Sequence, residues 1–269
     1  MLGSSRGSLL AQSDALDARR YAPDFSSVAS ELLAVADLLS REKSLRVVLA
    51  DSGQSPQARE SLASKLFRER LGETPLAVVV DVVRARWSHA DDIVDAFERL
   101  GAQAAFTVAD SDGTLDRVEE EIFRFGRAAD ASADLQMTIT DPSLTAATKS
   151  AVVRDLLGGR AAPTTELLLE HLAGHLRGRR VDDAAALLSE LAAAQRERVV
   201  AEVRSAIDLD ADQRRRLAES LSRLQGRQVR LNIAIDPDVL GGISVRIGGE
   251  VIDGTVANRL EQARRTLLN

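Results

Sequence analysis

An apolar stripe at helical spacing occurs twice in this chain, 90 residues apart, and it governs the fold class. Val28, Leu32, Leu33, Val35 and Leu39 mark one helical face, and Val118, Ile122, Phe123, Phe125 and Ala129 repeat it, with Glu31 matching Glu121. Both stripes are expected in a core. The same spacing pairs Leu45 with Leu135 and Asp51 with Asp141. After a drift of one residue Asp91-Asp92 pairs with Asp182-Asp183, Phe97 with Leu188 and Leu100 with Leu191. Self-similarity on this scale points to a duplicated helical unit. In the first copy Ser55-Pro56 opens a helix over 57–71 that Gly72 ends, Thr74-Pro75 opens 76–87, and Asp91 or Asp92 caps a helix running to Leu100. In the second, Asp141-Pro142 precedes a helix ending at Leu157 before Gly158-Gly159, Pro163 precedes 164–176, and Asp182 caps the next helix after a break at Gly178. Helices this short gain stability by packing on one another, so a bundle is expected.

Between Gln195 and Val199 the period changes from helical to alternating. Val199, Ala201, Val203 and Ser205 read as a strand, and 209–224 as an Arg-rich amphipathic helix. Val229, Leu231, Ile233 and Ile235 read as a second strand, which Asp236-Pro237-Asp238 ends. After Gly241-Gly242 the alternation resumes at Ile243, Val245 and Ile247, and Gly248-Gly249 turns the chain back through Val251 and Ile252. From Thr255, Val256, Leu260, Ala263 and Leu267 share one helical face, with Asp253 or Thr255 placed to cap it. The expected fold is mainly α: an extended N-terminal helical bundle with a duplicated helical unit over 1–196, and a small C-terminal α/β domain over 197–269.

Several function classes are disfavoured. With 41 acidic against 35 basic residues, no basic block and 3% aromatics, nucleic-acid binding lacks both phosphate neutralisation and base stacking. No cysteine is present, which excludes disulfides, thiolate metal sites and a cysteine nucleophile. The first twelve residues have no signal-peptide pattern. The strongest apolar run, 76–83, falls far short of the ~20 residues that span a bilayer, so membrane association is expected to be indirect.

Candidate chemistry gives way to plainer readings. Gly241-Gly242 and Gly248-Gly249 lack the following helix and the nearby lysine of a phosphate cradle. His171 and His175 stand four apart on one helix, but no third ligand is evident, so they read as surface or helix-end histidines. His89 beside Trp87 reads as a packed helix end. The adjacent acids Asp91-Asp92 and Asp182-Asp183 suit helix starts better than acid/base work. Arg214-Arg215-Arg216, balanced by Asp208, Asp210, Asp212 and Glu219, reads as a solvated face.

The tail carries a more specific pattern: Leu240-Gly241-Gly242-Ile243, then Ile247-Gly248, then Val251-Ile252-Asp253-Gly254-Thr255-Val256, then Arg259-Leu260. It resembles the C-terminal signature of the delta subunit of F-type ATP synthases, the family of the mitochondrial oligomycin-sensitivity-conferring protein. Thr255 stands where that family usually has Ser, Glu250 where Asp or Asn is common, and Asn258 where Gly or a basic residue is frequent. The resemblance implies a non-catalytic stator subunit with no catalytic, cofactor-binding or metal residues, peripheral on the cytoplasmic face of the cell membrane. Its bundle would receive the N-terminal helix of an alpha subunit, and its C-terminal domain would grip the C-terminal end of the b stalk. It assigns structural or interface roles to Gly241, Gly242, Ile243, Gly248, Ile252, Asp253, Gly254, Thr255, Arg259 and Leu260. Residues 118–195 fit the bulk of a delta bundle and 1–18 its first helix, with Arg6 matching an Arg near its start. About 21–113 would then be an inserted, repeat-like unit, as in the longer delta subunits of actinobacteria. The rival reading is a helical-repeat adaptor with an unrelated partner.

Overall fold

A computed structural model of the chain describes residues 3–196, 199–225, 229–236, 239, 241–247 and 250–253. After α1 (Ser4–Ala18) come α2 (Phe25–Arg41), α3 (Lys43–Ala50), α4 (Pro56–Phe67) and α5 (Glu73–Arg84). Beyond α6 (Asp91–Ser111) the chain forms α7 (Leu115–Ala131), α8 (Ala133–Thr140), α9 (Ala146–Leu157) and α10 (Pro163–Gly174), then α11 (Val181–Arg196). Each boundary of α7 to α10 lies 90 residues beyond that of α2 to α5.

Local chemistry repeats with the boundaries. Ser55 caps α4 by accepting the Ala58 N–H at 3.2 Å, and Thr145 caps α9 by accepting that of Thr148 at 3.1 Å. Asp51 accepts the Gly53 N–H at 2.9 Å, and Asp141 that of Ser143 at 2.8 Å. The Asp141 turn is why α9 begins at Ala146, later than Asp141-Pro142 suggests. Glu31 on α2 accepts the Gly72 N–H before α5 at 2.8 Å, and Glu121 on α7 accepts the Ala162 N–H before α10 at 2.9 Å. In both copies a buried-side carboxylate thus satisfies an orphan donor at a distant helix start.

α6 belongs to both copies. It does not stop at Leu100 but continues through Gly101 to Ser111, and 14 of its 21 residues are buried, so it is enclosed on several sides. One side meets α1, α2, α3 and α5, and another meets α7 and α10. Gly101 permits this: a Cβ there would lie 2.9 Å from the Leu33 Cγ and Cδ2 atoms of α2. α6 is also the second-copy counterpart of α1, and the two pair directly, with Ser13 Oγ donating to Gln103 Oε1 and Gln103 Nε2 donating to the Ser13 carbonyl.

Most of the repeated stripe is core, as Val28, Leu32, Leu39, Val118, Ile122 and Ala129 are fully buried. Phe123 corrects the expectation, being 56% exposed. Trp87 is buried and donates its indole N–H to the Val82 carbonyl at 2.8 Å.

Contacts divide the chain into two compact units, Met1–Gln195 and Arg196–Asn269. The second holds β1 (Val199–Ser205), α12 (Ala211–Gln225), β2 (Val229–Ile235), β3 (Ile243–Ile247) and β4 (Glu250–Asp253) in a sheet of order β2-β1-β3-β4. β1 and β2 run parallel, with Val199 opposite Val229 and Ser205 opposite Ile235, so α12 serves as the crossover that parallel neighbours require. β3 is antiparallel to β1 and forms a hairpin with β4. Leu221 of α12 packs with Ala201, Val203, Val229, Val245 and Ile247 in this unit's own core. On the outer face of α12, Arg214 pairs with Asp208 and Arg215 with Asp212, a solvated charge face. Among the described residues no helix is long and apolar enough to cross a membrane.

Candidate functional site

In the C-terminal unit, the signature residues shape the entry to a hairpin. The Asp236 N–H donates to the Ser205 carbonyl at 2.9 Å, fixing the end of β2 beside β1. Gly241 and Gly242 then take φ of 68° and 81°, a region that costs other residues energy, and deliver the chain into β3 at Ile243. Ile243 sits opposite Ser205, while Val245 and Ile247 point into the core beside Val203 and Ala201. A strand follows the glycine pair, so no helix N-terminus faces an anion there. In β4 Ile252 pairs with Val245 and Asp253 with Ser244, and both Val251 and Ile252 are exposed on this edge strand. Gly248, Gly254, Thr255, Arg259 and Leu260, with the helix expected from Thr255, lie outside the described residues. What the described part offers is a strand at one end of the described sheet that carries exposed apolar side chains.

In the helical unit, His171 and His175 stand at the end of α10, as the helix-end reading has it, but they are not on the surface. Their rings stack with centroids 4.3 Å apart, and their side chains are only 14% and 13% exposed. His175 Nδ1 lies 2.8 Å from the His171 carbonyl oxygen and Nε2 lies 2.8 Å from Asp37 Oδ1. The ring thus bridges its own helix end and α2. His171 Nε2 stands 3.8 Å from Glu98 Oε1, beyond hydrogen-bond range. Burial holds the His171 pKa below the ordinary imidazole value, with His175 adding to the effect and Glu98 opposing it. Burial would raise the carboxyl groups of Asp37 and Glu98, but His175 and Arg41 lower the first, and His171, Arg177 and Arg179 lower the second. Arg177 also bonds Asp95 at 2.5 Å. The cluster therefore ties α2 and α6 to α10 and the loop after it. It flanks a cavity of about 100 Å³ lined by Leu33, Leu168, Leu172 and Leu188. Among the described residues no group of three or more His, Cys, Asp or Glu is arranged to hold a metal. The sequence hinted at these histidines by their spacing, but not at Asp37, which lies 138 positions from His175.

The paired acids stand at helix starts as expected, with Asp92 accepting the His89 N–H at 3.3 Å, but they lie inside the first turn instead of at the N-cap position and also bind neighbouring elements. Asp92 accepts the Ser5 hydroxyl at 2.7 Å and Asp91 pairs with Arg46 at 2.9 Å, while Ala90 occupies the cap without a side-chain bond. Asp182 accepts from Gln136 and from Arg180 at 2.9 Å. They still sit in the first turns of α6 and α11, where the helix dipole favours negative charge.

The charged groups described above thus act as structural ties between helices. The family model described as ATP synthase delta (OSCP) subunit matches residues 101–267, from the middle of α6 through the tail. The ATP synthase subunit delta of Streptomyces griseus is 44% identical over 99% of both chains, that of Streptomyces coelicolor 45% over 99% and 98%, and that of Frankia casuarinae 42% over the whole of both. The chain belongs to the ATP synthase delta (OSCP) subunit family. As a member it is a non-catalytic stator subunit of an ATP synthase, and the unrelated-adaptor reading falls away. A chain of the Toxoplasma gondii mitochondrial ATP synthase hexamer aligns at 23% identity over 64% of this chain and 97% of that one, with a TM-score of 0.28. The family match starts inside α6, so α1 to α5 precede it, whereas the full-length relatives share the whole length.

Proposed function

We propose that this chain joins the two ends of the stator on the cytoplasmic face of the membrane. The helical portion, residues 1–196, receives the amphipathic N-terminal helix of an alpha subunit, and the small α/β portion, 197–269, grips the C-terminal end of b. The segment of about 21–113 is an added copy of the bundle relative to shorter delta subunits. The single observation that carries this reading is the family match across both the α6 to α11 bundle and the tail. Physical reasoning supports this: grooves between short helices accept an amphipathic partner helix, and a small sheet with exposed apolar residues on β4 suits an end clamp. A joint that withstands rotor torque through many turnovers needs a slow off-rate, and nanomolar affinity corresponds to about 12 kcal/mol.

In this reading Gly241, Gly242, Ile243, Gly248, Ile252, Asp253, Gly254, Thr255, Arg259 and Leu260 preserve the shape of the clamp and contact no substrate. Gly242 tests it, since its φ of 81° is strained for any β-branched residue. A Gly242→Val chain should keep its helical circular dichroism and its alpha contact but lose b in pull-downs, with ATP hydrolysis by the detached head unchanged. A folded variant that retains b at full strength contradicts the assignment, as does wild-type chain that co-purifies with neither alpha nor b.

A further inference from the structure

Among the pairs of large apolar side chains that α2 to α5 share with α7 to α10, one reverses from buried to exposed. Val47 and Met137 are exposed in both, Leu66 and Leu156 likewise, and Leu49 and Ile139 are buried in both. Leu33 is 4% exposed but its counterpart Phe123 is 56% exposed. The cause is the neighbour. In the first copy Leu33, with Asp95, Glu98, Arg99 and Ala102 of α6, faces Leu168, His171 and Leu172 of α10 and His175 just after it. There α10 is pinned by His175 to Asp37 at 2.8 Å. The corresponding face of the second copy, between α7 and α11, is an open groove lined by Phe123, Gly126, Arg127, Ala185, Ala186 and Ser189. Gly126 brings the helices together, a Cβ there lying 3.1 Å from that of Ala185. Ser189 Oγ is buried without a hydrogen-bond partner among the described residues. Asp130 and Asp182, on the rim nearest the start of α11, are paired with Arg180, and Asp183 beside them is exposed. Where the closed face carries Asp37, the open face carries Arg127.

We propose that the α7/α11 groove is a docking surface for an amphipathic helix of another ATP synthase subunit. The molecule itself supplies the template, because α10 already seats on the equivalent α2/α6 face through Leu168, Leu172 and His175. The helix that fits the open copy therefore carries leucines four residues apart around Phe123 and, because Asp37 is replaced by Arg127, a carboxylate three residues beyond the second leucine. An exposed aromatic beside small residues is the kind of anchor on which such contacts centre. The origin of the helix in the synthase rests on the proposed function, whereas the shape and charge of the surface do not.

Two measurements on the full-length chain test this. The first uses a synthetic peptide of residues 160–178 carrying His175→Asp. It should bind wild type, and at least tenfold more weakly to Phe123→Ser and to Arg127→Asp, while the unsubstituted peptide should recover affinity for Arg127→Asp. Equal binding to all three proteins overturns the proposal, and unchanged circular dichroism shows that the variants fold. The second exploits the absence of cysteine: Phe123→Cys bearing a photoreactive maleimide, assembled into purified synthase, should cross-link to a leucine-rich helical segment containing an acid. A cross-link to a second copy of this chain, or to no synthase subunit despite co-purification, overturns it. Loss of co-purification by unlabelled wild type would instead refute the stator assignment.

Discussion

At the scale of single residues, the helical unit is held by carboxylates whose partners lie far along the chain. Glu121 accepts from the Ala162 N–H at 2.9 Å and the Thr165 hydroxyl at 2.6 Å, and also pairs with Arg117 at 2.7 Å. Burial would raise its pKa, but Thr165, Ala162 and Arg117 together lower it. Glu121→Ala leaves the start of α10 without its acceptor and should cost about 1–2 kcal/mol in urea unfolding at neutral pH. A depressed carboxyl contributes stability above the unfolded pKa of about 4.3 and loses it as pH falls through the folded value, so wild type and variant should converge in acid. A gap that stays constant from pH 7 to pH 3 would show that the carboxylate is not the cause. His171 acts in the same direction at a higher pH. Its lowered pKa means that the unfolded chain takes up the proton first, so its contribution is complete above about 6.5 and declines as pH drops into the window below. His171→Phe should therefore flatten the fall in melting temperature between pH 6.5 and 5, and an unchanged slope would remove His171 from the account.

At the scale of elements, the contact between α2 and α6 depends on a missing side chain. Alanine is favoured over glycine inside a helix by about 1 kcal/mol, so propensity alone predicts that Gly101→Ala stabilises α6. Packing predicts the reverse, because the new Cβ would meet Leu33 at 2.9 Å and the Ala29 carbonyl oxygen at 3.4 Å in a buried contact. Overpacking costs about 1–3 kcal/mol, enough to win. Gly101→Ala should lower the melting temperature, and adding Leu33→Ala should recover part of the loss. A stabilised single variant would mean that Leu33 moves aside freely. This glycine also shows what a sequence can and cannot disclose. The repeat was legible because Val28 and Val118, Glu31 and Glu121, and Asp51 and Asp141 do the same work in each copy. The hairpin was legible from the alternation at Ile243, Val245 and Ile247. The continuation of α6 through Gly101 was not, because a glycine after Leu100 looks the same whether it ends a helix or admits a neighbour. Phe123 was misplaced for a related reason: its helical face is the same as that of Leu33, and only the position of α10 decides which is covered. The candidate site was least legible, since Asp37 and Glu98 reach the histidines only through tertiary packing.

At the scale of the whole molecule, the sharing of α6 makes the two copies unequal. The first owns α1 through α6, and its core includes Leu16, Leu32, Leu39, Val79, Val83, Ile93, Phe97 and Phe106. The second has α7 to α11 but borrows α6 as the counterpart of α1. Repeat units that stack on a common element draw their stability from that interface as much as from their own interior. Residues 1–113 expressed alone should fold with a cooperative thermal transition and native-like helix content. Residues 114–195 lack the helix against which α7 and α10 pack, and helices of this length are marginal without partners. That fragment should show weak helicity, bind a hydrophobic dye and melt without a sharp midpoint. Extending it back to residue 91 should restore helicity, but it should stay less stable than the first fragment, because Phe97, Leu100 and Phe106 would lose α1, α2 and α5 as cover. Calorimetry on the three fragments decides the matter. If 114–195 unfolds as sharply as 1–113, α6 is an ornament to a self-sufficient second copy. If the first fragment melts only together with the second, the coupling runs in the opposite direction, and the added copy depends on the part that the delta family shares.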